Sequence, residues 1–144
     1  MGERIGERII ETEACVAEGA AWLARAEPRF AHVIELTGPL PLRRRPDGFD
    51  QLLAAIVSQQ VSVAAARAIQ GRLEAAGLTA PGAIRAAADE EMRAAGLSRQ
   101  KIRYARALAG AEIDYAALRA APTGEVVRTL TAVPGIGVWT AEIY

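Results

Sequence analysis

The sequence has little of several features that mark particular protein classes. Its single cysteine, Cys15, excludes an internal disulfide and any site built from four thiolates. Its 17 basic and 17 acidic residues cancel, so the net charge does not indicate a polyanion as partner. No apolar run is long enough to span a membrane, and the start, MGERIGERII, lacks the apolar core of a signal peptide. These absences predict a soluble, cytoplasmic protein that does not bind a membrane.

Strand patterns are also missing, whereas helix signals are frequent. A hydrophobic content of 51% over 144 residues is enough for one ordinary core. Alanine is abundant, β-branched residues do not alternate with polar ones, and Gly or Pro recurs at intervals that suit short helices. The sequence therefore predicts an all-α fold in a single helical domain over residues 1–144.

Proline and polar residues divide this domain into three segments. Helices are predicted over 1–38, an extended connector over 39–48, and the core helices over 49–144, with a hairpin at 133–137. The connector follows from its three prolines, which bias the preceding residues away from helix. Trp22, in register with the apolar residues of the first helix, is predicted to be part of the core.

Helix caps recur through the chain. Thr12, Ser62, Asp89, Ser98 and Asp114 each precede an apolar periodic segment and are predicted to begin helices, since their side chains can accept from free amides of the first turn. The helix that starts near Phe49 is predicted to bury Phe49, Leu52, Leu53, Ile56 and Val57.

The last residues, TAVPGIGVWTAEIY, contain a turn with two glycines in front of a helix. Gly135 and Gly137 permit unusual backbone dihedrals and leave neighbouring amides uncovered, so that a phosphate can approach. These amides precede a helix that begins at Val138, where free donors and the helix dipole favour an anion. The alternative is a plain turn between two helices with a glycine cap.

This motif resembles the helix–hairpin–helix of the DNA glycosylase superfamily, in its DNA-3-methyladenine glycosylase II branch. Two further segments are similar to that branch: AIVSQQVSVAAARAI over 55–69 and GLSRQKIRYARALA over 96–109. The similarity extends from about Pro39 to Tyr144. It implies an orthogonal array of helices of the helix–hairpin–helix DNA glycosylase type, incomplete at its C-terminus.

The resemblance implies a role in DNA binding for the hairpin. Backbone amides at Gly135, Ile136 and Gly137 would hold a phosphate beside the lesion. Carbonyls of Thr131, Val133 and Gly135 would hold Na⁺ or K⁺, a structural cation that stiffens the turn, while no cofactor would be required for the reaction. The implied partner is double-stranded DNA with alkylated bases, which places the protein at the nucleoid.

The segment SQQVS matches the place where the family inserts a side chain into the gap left by a flipped nucleotide. Such a wedge offsets part of the cost of unstacking. Gln60 is the leading candidate for the wedge, and its neighbour Gln59 is the other. Without the resemblance, the two glutamines would be interpreted as an exposed polar loop between helices.

Trp139 occupies the position where bifunctional members of the superfamily have a lysine that attacks the sugar. Indole cannot form a Schiff base, so the resemblance implies a monofunctional enzyme, in which Trp139 lines the base pocket and stacks on a cationic methylated base. The alternative is that Trp139 fills the core beneath the hairpin. Some relatives have a second aromatic residue where this chain has Ile143, which leaves the details of base selection open.

The resemblance implies hydrolysis of the N-glycosidic bond of an alkylated base of the 3-methyladenine type. The family uses one aspartate to stabilise positive charge on the sugar, and its position lies beyond Tyr144. No catalytic residue is therefore assigned, and the chain is expected to be a C-terminally truncated form that lacks the final family helices and is inactive alone. The intact family form is expected to be monomeric, whereas the truncated chain would tend to self-associate through uncovered apolar faces.

Basic residues give a weaker indication of DNA binding. Arg99, Arg103 and Arg106 fall at helical spacing with Lys101 beside them and no acid between them, an arrangement that would form a positive stripe along a DNA backbone. Arg43–Arg45 are a second candidate. Either set is also explained as an ordinary solvated surface. Two other functions remain open: a non-catalytic helix–hairpin–helix module that binds DNA, and a helical interaction domain without a nucleic-acid role.

Overall fold

The computed structural model describes residues 9–144, so the first eight residues of the predicted segment 1–38 lie outside the described residues. Within this range the chain forms ten α-helices and no strand, which confirms the all-α prediction. The helices are α1 Glu13–Ala26, α2 Pro28–Thr37, α3 Phe49–Ser58, α4 Val63–Ala75, α5 Pro81–Ala86, α6 Asp89–Ala94, α7 Arg99–Gly110, α8 Tyr115–Ala120, α9 Thr123–Thr131 and α10 Val138–Ile143.

The chain divides into two compact units, with the boundary between Arg45 and Pro46. This boundary lies inside the predicted connector 39–48, where no residue is helical. Its prolines keep the preceding residues out of the helical region. The single domain proposed over residues 1–144 stays a prediction.

The N-terminal unit is a pair of helices without a buried residue. Thr12 caps α1 as predicted, its Oγ1 accepting from the amide of Cys15 at 3.4 Å, and α1 packs against α2. No residue of either helix is buried. The prediction that Trp22 belongs to the core is wrong, because 61% of its surface is exposed. Two paired helices present too few facing side chains to enclose an indole.

The C-terminal unit contains the hydrophobic core. All five residues predicted to be buried on α3 are buried, from Phe49 at 7% exposure to Ile56 at 0%. Their spacing places them on one face of α3, which packs against α4 and α7. The core also includes residues of the other helices of this unit and of the turns between them: Ile69, Leu73, Leu78, Ile84, Met92, Leu97, Ile102, Leu108, Leu118, Leu130, Val133, Ile136 and Ala141.

The caps of α4, α7 and α8 are as predicted. Ser62 Oγ accepts from the amide of Ala65 at 3.1 Å, and Ser98 and Asp114 accept from amides three residues later in the same way. The cap predicted at Asp89 is wrong: α6 is preceded by Ala88, whose amide donates to Glu91 at 2.7 Å. Asp89 instead bonds Arg106 of α7 at 2.8 Å, because a charged partner in a neighbouring helix binds it more strongly than a neutral amide.

Helix α5, Pro81–Ala86, is one that the sequence did not lead us to predict. It is short, begins with a proline at its first position and lacks a side-chain cap. Ile84, which is fully buried against the core, anchors it. None of the helices in the described residues combines the length and apolar character that crossing a bilayer requires.

Candidate nucleic-acid interface

The hairpin between α9 and α10 is held from inside by apolar side chains. Val133 and Ile136 are buried at 4% and 5% exposure, and the amide of Ile136 donates to the carbonyl of Val133 at 3.1 Å. Ala141, one turn into α10, is also buried, and its amide donates to the carbonyl of Gly137 at 3.0 Å. The predicted start of a helix at Val138 is confirmed. The motif therefore forms a tight turn whose apolar side chains pack into the core.

The two glycines of the turn have different surroundings. Gly135 has a φ of 93°, and a Cβ atom added to it would overlap the ring of Tyr104 and lie 2.8 Å from the Cβ of Tyr104. Gly137 has φ −89° and ψ 170°, an ordinary extended conformation, with open space where a Cβ would lie. The prediction that both glycines supply unusual dihedrals is therefore wrong for Gly137. There, the missing side chain leaves the backbone open to solvent.

Free backbone donors follow the second glycine. In residues 9–144, the amides of Gly137, Val138 and Trp139 donate to no protein acceptor, and all three residues are exposed. Amides at the start of a helix have no acceptor within the helix. The amide of Ile136, which was also predicted to contact DNA, is occupied by its bond to Val133. Of the three amides predicted to contact DNA, that of Ile136 is thus occupied, whereas those of Gly135 and Gly137 donate to no acceptor in the described residues.

The turn between α3 and α4 lies beside this hairpin. The side-chain amide of Gln59 donates to the carbonyl of Gly135 at 2.8 Å, although the two residues are 76 positions apart. Gln59 is half-buried, whereas Gln60 is exposed and has a φ of 56°, in the left-handed region. Ser62 then begins α4. The structure thus brings together the two segments that were predicted to contact DNA and distinguishes the two glutamines.

Two residues of α7 support this arrangement, and no role was predicted for Tyr104. The ring of Tyr104 lies beneath Gly135, and its hydroxyl bonds the side chain of Gln100 at 2.7 Å. Lys101, one turn earlier, donates to the carbonyl of Val57 in the last turn of α3 at 2.6 Å, and burial lowers the pKa of its ammonium group. Tyr104 is the aromatic residue in the segment 96–109, and this was the feature of the sequence from which a packing role could have been predicted.

The predicted basic stripe is only partly present. Arg106 donates to the carbonyls of Ile84, Arg85 and Ala87 and to Asp89, so it satisfies acceptors at the end of α5. Lys101 is likewise used internally. The prediction of a continuous stripe is wrong for these two residues, because carbonyls at helix ends need donors. Arg99 and Arg103 are exposed.

Trp139 lies on the first turn of α10 with 75% of its surface exposed. Val138 and Ile143 on the same helix are 55% and 64% exposed. The alternative interpretation, in which Trp139 fills the core beneath the hairpin, is therefore wrong. Trp139 also lines neither of the two cavities described, which are formed by residues of the N-terminal unit. The indole is therefore available to a ligand, without a closed pocket around it.

The carbonyls predicted to hold a cation are partly occupied. The carbonyl of Val133 accepts from Ile136, and that of Gly135 accepts from Gln59. Of these three carbonyls, only that of Thr131 accepts no hydrogen bond from the described residues. A carbonyl oxygen has two lone pairs, so one accepted hydrogen bond leaves a second lone pair for a cation. The monovalent ion stays a prediction.

Known proteins share this fold and these segments. The model of the HhH-GPD superfamily base excision DNA repair protein matches residues 53–137, a range that begins in α3 and ends at the second glycine of the hairpin. The DNA-3-methyladenine glycosidase from Bacillus halodurans is 34% identical, with a TM-score of 0.75 and coverage of 92% of this chain and 62% of that one.

A second similar structure is that of the 3-methyladenine DNA glycosylase of Schizosaccharomyces pombe in complex with abasic DNA. It is 29% identical, with a TM-score of 0.73 and coverage of 88% of this chain and 67% of that one. The chain thus spans 62% of the length of the Bacillus halodurans protein. No curated protein sequence matches the chain. Because the family model covers more than half of the residues and contains both the glutamine turn and the hairpin, the chain belongs to the HhH-GPD superfamily of base excision DNA repair proteins.

Proposed function

We propose that this protein is a monofunctional DNA glycosylase that binds double-stranded DNA and releases alkylated bases of the 3-methyladenine type. The observation that carries the proposal is the set of free amides at Gly137, Val138 and Trp139, exposed on a hairpin beside the α3–α4 turn. Phosphate oxygens are strong acceptors, and backbone amides contact them without reading the sequence. The two solved relatives are, by their descriptions, enzymes for 3-methyladenine, and one is bound to abasic DNA.

The residues around the hairpin have suitable chemistry for an everted base. Gln60, exposed at the end of α3, would enter the stack that the flipped nucleotide leaves. Trp139 presents an indole face on which a cationic methylated base would stack, an attraction of about 0.5 to 2 kcal/mol. Base and phosphate would thus be held by residues of one hairpin, which keeps their spacing fixed.

The chemistry itself would be hydrolysis without a covalent intermediate. Trp139 has no amine with which to attack the sugar, and between the hairpin and Tyr144 the sequence contains one acid, Glu142, and no aspartate. The resemblance places the catalytic aspartate further along. On this proposal the described residues supply the DNA-binding hairpin, and release of the base requires the aspartate that the resemblance implies.

A base-release assay tests both parts of this proposal. Alkylated duplex DNA is incubated with the 144-residue chain and with the product of the uninterrupted coding sequence, and free base is measured by chromatography. We expect DNA binding by both forms and release only by a form that contains the aspartate. Release by the 144-residue chain contradicts the assignment of the missing residue, and no release by any form contradicts the glycosylase.

A second candidate is a helix–hairpin–helix module that binds DNA without catalysis. The 75% exposure of Trp139, which lines neither of the two cavities described, favours it. Such a module would bind undamaged and alkylated duplex equally, with an affinity that falls as salt rises. A clear preference for alkylated or abasic duplex over undamaged duplex rejects it in favour of the glycosylase.

A further inference from the structure

We propose that Gln59 is a positioning residue, which ties the α3–α4 turn to the hairpin and so fixes the distance between Gln60 and the phosphate-binding amides. This inference rests on the proposed DNA binding and goes beyond it, because it separates two adjacent glutamines into two roles. The contact that carries it is the hydrogen bond from Gln59 Nε2 to the carbonyl of Gly135 at 2.8 Å.

The bond joins two segments that the backbone does not connect directly. Gln59 directly follows α3 as its C-cap residue, and Gly135 is at the centre of the hairpin, 76 positions later. Gln59 is half-buried, so its amide is shielded from water that would compete for the same carbonyl. A hydrogen bond between partly buried groups is costly to leave unmade. The side chain of Gln59 is therefore already used within the protein and is not free to enter DNA.

Helix α7 holds the same two segments from beneath. Lys101 donates to the carbonyl of Val57 in the last turn of α3, at 2.6 Å. Tyr104 packs against Gly135, leaving no room for a side chain there. Lys101 and Tyr104 are three positions apart and thus lie on neighbouring parts of one helix face. The end of α3, the middle of α7 and the hairpin form a closed circuit of contacts, which the bond from Gln59 completes.

Of the two glutamines, Gln60 is the exposed one, in a turn where Val61 and Ser62 are exposed as well. Its φ of 56° belongs to the left-handed region, which is uncommon for a residue with a side chain. An adjacent anchor helps to hold the turn in that conformation, and Gln59 supplies one. Loss of the anchor would leave the amides of the hairpin intact but would free Gln60 to occupy several positions relative to them.

The experiment uses the 144-residue chain and a duplex with an abasic-site analogue flanked by 2-aminopurine, whose fluorescence rises when its stacking is disturbed. Four proteins are compared at saturating concentration: wild type, Gln59→Glu, Gln60→Ala and the double variant. Glutamate has the shape of glutamine, but its carboxylate cannot donate to the Gly135 carbonyl. Thermal unfolding and binding to undamaged duplex are measured for each.

We expect Gln60→Ala and Gln59→Glu each to lose most of the fluorescence rise and to bind the abasic duplex about tenfold more weakly. Because the new charge in Gln59→Glu repels both duplexes, the loss is compared as the ratio of abasic to undamaged affinity, which should fall about tenfold. If Gln59 acts through Gln60, the double variant is no worse than Gln60→Ala alone. Gln59→Lys retains a donor for the Gly135 carbonyl and should show the wild-type fluorescence rise. It tests the inference even if Gln59→Glu does not fold.

Three results would overturn the inference. The first is a fluorescence rise in Gln59→Glu as large as that of the wild type. The second is a double variant whose losses add, which would make Gln59 itself an inserting residue. The third is failure of Gln59→Lys to restore the rise. Failure of the proposed DNA binding looks different, since the wild-type chain would then bind neither duplex.

Discussion

Gly135 and Gly137 stand two positions apart in the hairpin and differ in what a side chain would meet there. Gly135→Ala introduces a Cβ at a φ of 93° and against Tyr104, so we expect the free energy of unfolding to fall by about 1 to 3 kcal/mol or more. Gly137→Ala meets open space at an ordinary φ and should leave stability nearly unchanged. Urea unfolding followed by circular dichroism measures both.

The same pair separates folding from DNA binding. The methyl group of Gly137→Ala would project where a phosphate approaches, so duplex affinity should fall although the protein stays folded. An equal loss of stability in the two variants would show that the turn needs both glycines for its conformation. Unchanged duplex affinity in Gly137→Ala would place the phosphate elsewhere.

Under the proposed function, Trp139 is the residue that would stack on the everted base. Because 75% of its surface is exposed, Trp139→Ala should change the free energy of unfolding by less than about 0.5 kcal/mol. We expect the preference for alkylated over undamaged duplex, measured by fluorescence anisotropy, to be lost. Trp22→Ala is the matched control, since this indole is exposed by 61% in the other unit; an equal effect of both changes would contradict a specific role for Trp139.

Helices α6 and α7 are joined by an ion pair that should appear in the pH dependence of stability. The bond from Arg106 lowers the pKa of Asp89 below its ordinary value of 3.8, with a smaller contribution from the charge of Arg93. A carboxyl whose pKa is lower in the folded state stabilises the fold above its ordinary pKa and loses this effect as the pH falls through the folded-state value.

We expect Asp89→Asn to be less stable than wild type near neutral pH and to approach wild-type stability in acid. Urea unfolding at a series of pH values from about 7 down to about 3 follows the difference. Glu74→Gln, at an exposed site on α4, controls for the loss of one negative charge. A difference between wild type and Asp89→Asn that does not change with pH would show that the ion pair does not contribute through its charge.

At the scale of the whole molecule, the two units differ in how they exclude water. Helices α1 and α2 contain no buried residue, whereas α3 alone contains five. Local opening costs little where few apolar contacts are lost. We therefore expect amides of Glu13–Thr37 to exchange with deuterium at least about tenfold faster than those of Phe49–Ser58. Exchange followed by mass spectrometry measures this, and equal protection of the two segments would contradict it.

Some features of the site followed from short stretches of sequence. The helix start at Val138 and the caps at Ser62, Ser98 and Asp114 depend on residues within one turn. The buried face of α3 depends on spacing within ten residues. The contact between Gln59 and Gly135 did not follow in this way, because its partners are 76 positions apart and no local pattern relates them.

By itself, the sequence determined the helical class, most helix ends, the connector and the turn that carries the open amides, because these depend on backbone preferences of neighbouring residues. Only the tertiary structure decided which polar side chains are used inside the protein and which face solvent. Lys101 and Arg106 satisfy carbonyls at helix ends, Gln59 bonds the hairpin, and Gln60 and Trp139 remain exposed. A side chain binds whichever acceptor packing brings within reach, and packing joins residues that are distant in the chain.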